Sequence, residues 1–422
     1  PKRPKIGLVL AGGGAKGGAH VGVLKILEEL RIPIDYVAGT SMGSIIGGLY
    51  ASGMSPIQIE KEISRIDWKH IFQDEPLRED RSFRRKTDDA LYLFKAKPGF
   101  NDGKIELPLA YVHGQKFDLE LSRLTQHVAS INDFDQLPIP YRAVATDLET
   151  GQEVVLKSGS LARSLRASMA VPGAFDPVVI DDRLLVDGGI SNNIPISVAR
   201  KMGADIVIVS DLGSEMLTRE EITSGLSVAG QMVNFLFSLN SQQALKTLGP
   251  DDVLVSVKLG DIGAGSFTRI TETIPLGEEA AENAKESLRR YALSEENYQR
   301  HLAAHGQPPK NSLVIDYIQI DNQSAISEEV ISSYISAEPG KPLDVDRLES
   351  NIQQLYGLEI FQSVRYELEE KDDKTGLKII AEEKAWGPGY LQLGMKASST
   401  PEGDTVFNLG AAFTKTQINE LK

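Results

Sequence analysis

The sequence contains no cysteine, which removes structural disulfides, thiolate metal sites and cysteine nucleophiles in one step. It also lacks any apolar run of about 18 residues, so no transmembrane helix is expected. Pro1-Lys2-Arg3-Pro4 has no apolar core of the kind a signal peptide carries, and any such peptide is expected upstream of Pro1. Positive charge is in deficit: 45 Lys and Arg stand against 59 Asp and Glu, a net charge of −14. The chain as a whole therefore repels nucleic acid, which is excluded as a general partner, and contact with an anionic membrane needs a local basic patch. What is present is ordinary globular material, 41% hydrophobic and 25% charged over 422 residues, enough for two or three domains of about 150 residues.

The apolar run Lys5 to Leu10 ends in Ala11-Gly12-Gly13-Gly14-Ala15-Lys16-Gly17-Gly18, after which Val21, Leu24, Ile26, Leu27 and Leu30 recur at helical spacing. This reads as strand, glycine loop, helix. Pro33 stops the helix, and Ile34 to Gly39 reads as a second strand entering Thr40-Ser41-Met42-Gly43 and a further helix. A crossover of this length implies parallel strands. Further strands are expected at 141–146, 154–157, 184–187, 206–210 and 253–257, with helices around 164–170, 194–202 and 220–248 between them. Gly306 to Ser312 has linker composition, and beyond it the order becomes strand, two helices, two strands, a small α+β module. Two alternating segments near Tyr390 and Phe407 read as a hairpin, the opening of a β-barrel.

Gly39-Thr40-Ser41-Met42-Gly43 is G-x-S-x-G between a strand and a helix, the setting of a nucleophile elbow. The turn projects the serine hydroxyl above the sheet, and the helix N-terminus behind it favours developing negative charge. A serine also needs a base and donors for the oxyanion. The loop Gly12 to Gly18 lies at the end of the neighbouring strand, where the amides of Gly13, Gly14 and Lys16 can converge on one oxygen, and the Lys16 cation suits a phosphate. The same loop spells G-x-G-x-x-G, but the acidic residue a dinucleotide site wants at the end of the next strand is absent. Lys16 followed by Gly17 also breaks the P-loop pattern.

Among six histidines, only His301 and His305 come late enough for a Ser–Asp–His order, on a highly charged stretch that reads as surface. His20 reads as a first-turn residue contacting loop carbonyls. Asp187, at the end of the apolar strand Leu184-Leu185-Val186 and followed by Gly188-Gly189, is the stronger candidate base, with a turn-capping role as its alternative.

Gly12 to Gly17, Gly39 to Gly43 and Asp187-Gly188-Gly189 together resemble the patatin-like phospholipases, and Ala145 to Leu148 and Ala167 to Gly173 look like further segments of that family. The resemblance covers about residues 5–305. It implies an α/β patatin-like three-layer sandwich with a mainly parallel central sheet, acting on phospholipid membranes. It implies a Ser–Asp dyad without histidine, metal or cofactor: Ser41 as nucleophile, Asp187 as base, and Gly12, Gly13, Gly14, Lys16 and Gly17 as the oxyanion hole. The rest of the chain is similar in layout to bacterial patatin-type autotransporters of the type V secretion class. By that likeness residues 1–305 are the patatin domain, 306–312 a linker, 313–385 a POTRA-like module and 386–422 a partial barrel segment or truncated tail. The full-length protein would then engage the outer-membrane assembly machinery and reach the cell surface or medium.

Between the elbow and the later strands, Arg78, Arg81, Arg84, Arg85 and Lys86 cluster against only Glu79 and Asp80, surrounded by Trp68, Phe72, Phe83, Leu91, Tyr92, Leu93, Phe94 and Phe100. On an acidic chain this reads either as a lid that binds anionic lipid head groups or as a solvated loop over ordinary core. Phe235-Leu236-Phe237 reads as core or as a homodimer contact rather than as a membrane contact. Two other functions stay open: a histidine-assisted esterase on soluble esters, and a secretion or interaction scaffold with a vestigial site.

Overall fold

The computed structural model describes residues 3–74, 98–101, 104–106, 110, 112–214, 216–304, 313–372, 374–387, 389–399 and 405–415. The strands in chain order are β1 (Ile6–Leu10), β2 (Tyr36–Thr40), β3 (Gly99–Asn101), β4 (Lys104–Glu106), β5 (Tyr141–Asp147), β6 (Glu153–Leu156), β7 (Val178–Ile180), β8 (Arg183–Asp187), β9 (Ile206–Asp211), β10 (Val253–Ser256), β11 (Tyr317–Gln323), β12 (Phe361–Lys371), β13 (Lys374–Glu383), β14 (Gly389–Ser399) and β15 (Thr405–Lys415). The chain separates into two compact units, residues 1–72 with 120–310 and residues 73–119 with 311–422. Residues 73–119, expected within the first domain, thus group with the later part of the chain.

The first unit is built on a sheet of order β10-β9-β1-β2-β5-β8-β7, with β6 also paired to β5. Every residue of β1 is buried, as the unbroken apolar run requires of a strand covered on both faces. Helices α1 (Ala19–Glu29) and α2 (Met42–Ala51) follow β1 and β2 and are themselves largely buried. The pairs β10·β9, β9·β1, β1·β2 and β2·β5 are parallel, whereas β5·β6, β5·β8 and β7·β8 are antiparallel. The sheet is therefore mixed rather than mainly parallel. Connection length explains two of the antiparallel pairs, β5·β6 and β7·β8, because a crossover needs a dozen or more residues and a tight turn can only fold a strand back on itself. Asp181 and Asp182, both at positive φ, join β7 to β8 as in a primed hairpin turn, without the glycine that would have announced it.

The second unit contains the strand, two-helix, two-strand order expected for it. Its three-stranded sheet runs β11-β13-β12, with β11·β13 parallel and β12·β13 antiparallel. Its core gathers Ile331, Leu348, Ile352, Leu355, Phe361 and Ile379. Gln115 completes a ladder there, its Nε2 donating to Val364 O at 2.6 Å while Oε1 accepts from Val364 N at 2.7 Å. The expected hairpin forms as β14 and β15, but β14 also pairs with β3, giving a four-stranded sheet β15-β14-β3-β4. No closed barrel occurs among the described residues.

Candidate active site

Close backbone approach fixes the turn between β2 and α2. A Cβ on Gly39 would overlap the Gly43 carbonyl, and one on Gly43 would overlap the carbonyls of Leu10 and Ala11. Between these glycines Ser41 adopts φ 53°, ψ −127°, a conformation that costs a residue with a side chain about 1–3 kcal/mol and persists only where its surroundings hold it. Here the holding group is Ser168: the Ser41 amide donates to its Oγ at 2.9 Å, and that hydroxyl donates to Val144 O at 2.5 Å.

Register brings the second residue in. Thr40 lies beside Val144 and Asp187 beside Ala145, so β5 carries Ser41 and Asp187, 146 positions apart in sequence, to adjacent places on its two flanks. Ser41 Oγ donates to Asp187 Oδ2 at 2.6 Å, and the Gly189 amide donates to Oδ1 at 2.8 Å. The Asp187 main chain is anchored too, its amide on Ala170 O at 2.9 Å and its carbonyl under Thr146 Oγ1 at 3.0 Å. Asp187 has no exposed surface. Burial pushes its carboxyl up to about 6, against the downward pull of the Ser41 hydroxyl and the Gly189 amide. It remains mostly ionised at neutral pH yet is a stronger base than an ordinary aspartate.

The glycine loop lies against this pair, with Gly12 so close to Ser41 and Asn193 that a side chain there would overlap the Asn193 amide. Its backbone donors divide into used and unused. Gly12 N donates to Asn193 O at 3.1 Å, Ala15 N to Ala264 O at 2.8 Å and Lys16 N to Gly13 O at 3.2 Å. The amides of Gly13 and Gly14 donate to no group among the described residues. Gly14 takes φ +55°, and a Cβ would overlap Ala264 O. Gly17 packs on Met42, where a side chain would also overlap. Of the five loop residues expected as donors, the structure thus occupies Gly12 and Lys16 with internal bonds and uses Gly17 for packing. The Lys16 side chain is buried, and its charge partly offsets the upward pressure of burial on Asp211.

His20 is buried, with Nε2 2.8 Å from Ala11 O and Nδ1 2.8 Å from Ser210 Oγ. A carbonyl only accepts, so Nε2 carries the proton and Nδ1 accepts from Ser210. Burial lowers the ring to about 4. His301 lies 3.0 Å from Arg3, and His305 falls outside the described residues, as do Arg78, Arg81, Arg84, Arg85 and Lys86. Trp68 and Phe72, expected to flank that basic segment, join Phe267 in an aromatic cluster, with Trp68 buried and its indole N–H on Ile63 O at 2.8 Å.

Ser168, Thr146, Asn193 and Asn240 were given no role by the sequence. Asn193 Nδ2 donates to Ser241 Oγ at 3.1 Å, its amide donates to Asn240 Oδ1 at 2.8 Å, and Asn240 Nδ2 donates to the carbonyls of Gly189 and Ile190 at 2.7 and 3.1 Å. The only signal was position: Ser168 and Thr146 lie in segments that carry the resemblance, and Asn193 follows Asp187 by six residues.

Residues 8–200 match the family model described as patatin-like phospholipase. A patatin-like phospholipase domain-containing protein of Caenorhabditis elegans is 37% identical over 211 residues, 50% of this chain and 14% of that protein. An uncharacterized NTE family protein of Mycobacterium bovis is 34% identical over 213 residues, 50% of each chain. The chain therefore spans a small part of the first relative and half of the second. The solved structure of VipD from Legionella pneumophila aligns with a TM-score of 0.37 and 14% identity, over 72% of this chain and 74% of that one.

Proposed function

We propose that this chain, whose residues 8–200 match the patatin-like phospholipase family model, is a lipolytic acyl hydrolase of the phospholipase A type, cleaving fatty-acyl esters of phospholipids by a Ser41–Asp187 dyad. The observation that carries the reading is the 2.6 Å hydrogen bond from Ser41 Oγ to a buried carboxylate whose proton affinity is raised to about 6. A carboxylate with its pKa nearer the working pH takes a hydroxyl proton more readily, so the raised value is what lets an aspartate serve where a histidine usually does.

In this mechanism the ester carbonyl carbon stands over Ser41 Oγ. Asp187 Oδ2 takes the hydroxyl proton as the C–O bond forms, and the oxyanion rests on the amides of Gly13 and Gly14, the two loop donors free to receive it. Collapse expels the lysophospholipid alkoxide, which Asp187 protonates, and leaves an acyl-Ser41 ester. Asp187 then draws a proton from water as its oxygen attacks that ester, and collapse breaks the bond to Ser41 Oγ, which takes the proton back from Asp187 as the fatty acid leaves. His20, neutral and occupied at both nitrogens, takes no part, which weighs against a histidine-assisted esterase. The test is hydrolysis of phosphatidylcholine vesicles by the chain and its Ser41→Ala and Asp187→Asn variants. Turnover should vanish in both, and retained turnover in either would overturn the dyad.

The same reading extends to the second unit as a POTRA-like module of an exported, outer-membrane-anchored lipase, supported by its strand, two-helix, two-strand order. Expression of the full-length gene in a Gram-negative host, with surface labelling of the lipase domain, tests it; a domain retained in the cytoplasm would end that extension.

A further inference from the structure

The helix Gly225–Leu245 is built inside out. Three of its polar side chains face the protein: Gln231 is buried and accepts from the Leu217 amide at 2.9 Å, Ser241 is buried against Asn193, and Asn240 holds the carbonyls of Gly189 and Ile190. Five of its large apolar side chains face outward, while Phe237 and Leu245 pack inward. Val228, Met232, Phe235, Leu236 and Leu239 are 40 to 58% exposed, at spacings of 4, 7, 8 and 11 residues that place them on one side of the helix. Phe235 and Leu236, read from the sequence as core or dimer contact, are thus not core. Not one residue of Gly225–Leu245 is charged, in a chain that is 25% charged. No helix among the described residues is long and apolar enough to cross a membrane.

A stripe of this kind stays out of water only if something covers it, and the choice of cover follows from charge, size and position. An uncharged face carries no ion that must be desolvated on insertion, and the net charge of −14 favours a neutral surface over an anionic one. Five outward side chains fall well short of the roughly 20–30 residues a side that a stable protein pair commits, whereas one apolar helix face is what an interfacial helix lays into the head-group boundary. The helix is also continuous with the active site, because Phe237 lies against Gly189 and Asn240 grips the two residues that follow Asp187-Gly188.

We propose that this face inserts into the surface of zwitterionic phospholipid aggregates and holds the Ser41–Asp187 site at the layer that contains its substrate. The proposal rests on the phospholipase reading, and the experiment separates the two.

In a Ser41→Ala background, the full chain is sedimented with phosphatidylcholine vesicles beside a Met232→Gln, Leu239→Gln double variant and a Leu239→Phe variant. Replacing two inserted apolar side chains with polar ones should weaken partition at least about tenfold, while Leu239→Phe keeps it within about twofold. With Ser41 intact, the double variant should turn over a soluble short-chain ester as the parent does and lose vesicle hydrolysis through KM rather than kcat. Vesicle binding by the double variant equal to the parent's would overturn the proposal. So would a parent that sediments as a dimer and becomes a monomer on the double substitution, since a second copy would then be the cover. Binding that depends on the stripe, in a chain that cleaves no phospholipid, would support the docking face and overturn the activity instead.

Discussion

The hydroxyl of Ser168 accepts the backbone amide of Ser41 at 2.9 Å. Ser41, the proposed nucleophile, therefore does not offer its own amide to an oxyanion; that amide is spent on holding a strained turn in place. Removing the acceptor leaves a buried N–H without a partner, at a cost of about 1–3 kcal/mol. Ser168→Ala should lower the melting temperature and reduce kcat with the Ser41 hydroxyl and Asp187 both intact. An unchanged melting curve together with unchanged kcat would show that the turn holds itself.

Because Asp187 must be ionised to accept a proton, kcat/KM should rise with pH and reach half its plateau near 6. A pH profile on a neutral phospholipid measures it, and a midpoint near 4 would mean that the carboxyl is not desolvated as the structure places it.

Stability should respond in the opposite sense. The folded chain holds the Asp187 proton more tightly than the unfolded chain does, so this contribution is full below 3.8 and is lost as pH rises through about 6. The displacement from 3.8 to about 6 corresponds to about 3 kcal/mol at roughly 1.4 kcal/mol per pH unit. Asp187→Asn should therefore melt higher than the parent at pH 8 and show no such advantage at pH 3.5, while hydrolysing nothing. Thermal melts at the two pH values decide it.

His20 has the reverse sign. Its folded value of about 4 lies below the ordinary 6.5, so its contribution is present above 6.5 and lost as pH falls towards 4. The two slopes oppose each other between about pH 4 and 6 and partly cancel in the parent. His20→Gln should uncover the Asp187 slope by removing its counterpart. Loss of a general base costs roughly 10²–10⁴-fold in rate; a drop below about tenfold in His20→Gln, read at pH 8, is expected for a residue that only braces Ala11 and Ser210.

Gly14→Ala meets two obstacles, a backbone at φ +55° and the Ala264 carbonyl. Both push the Gly14 amide away from its place. A lost oxyanion donor is worth about 10²–10³-fold in kcat, and that loss should appear with substrate KM little changed. Normal kcat in this variant would move the oxyanion to other donors.

Much of the site was legible from residue types alone. A strand running into G-x-S-x-G can turn only where glycines admit backbone contact, and Asp187 followed by two glycines marked a carboxylate at a strand end. Those are local facts about sterics and hydrophobic period, and the elements they predict, β1, α1, β2, α2 and β8, are where the chain puts them. What the sequence could not state was distance across the sheet. The meeting of Ser41 with Asp187 depends on the register of β2, β5 and β8. Which loop amides remain free depends on Asn193, Gly13 and Ala264 being within reach, and the pKa of Asp187 depends on the sum of everything that excludes water from it. The helix Gly225–Leu245 is the plainest case: its composition gave an apolar segment, and only packing decided that Gln231, Asn240 and Ser241 turn inward, where Asn240 donates to the carbonyls that follow Asp187-Gly188.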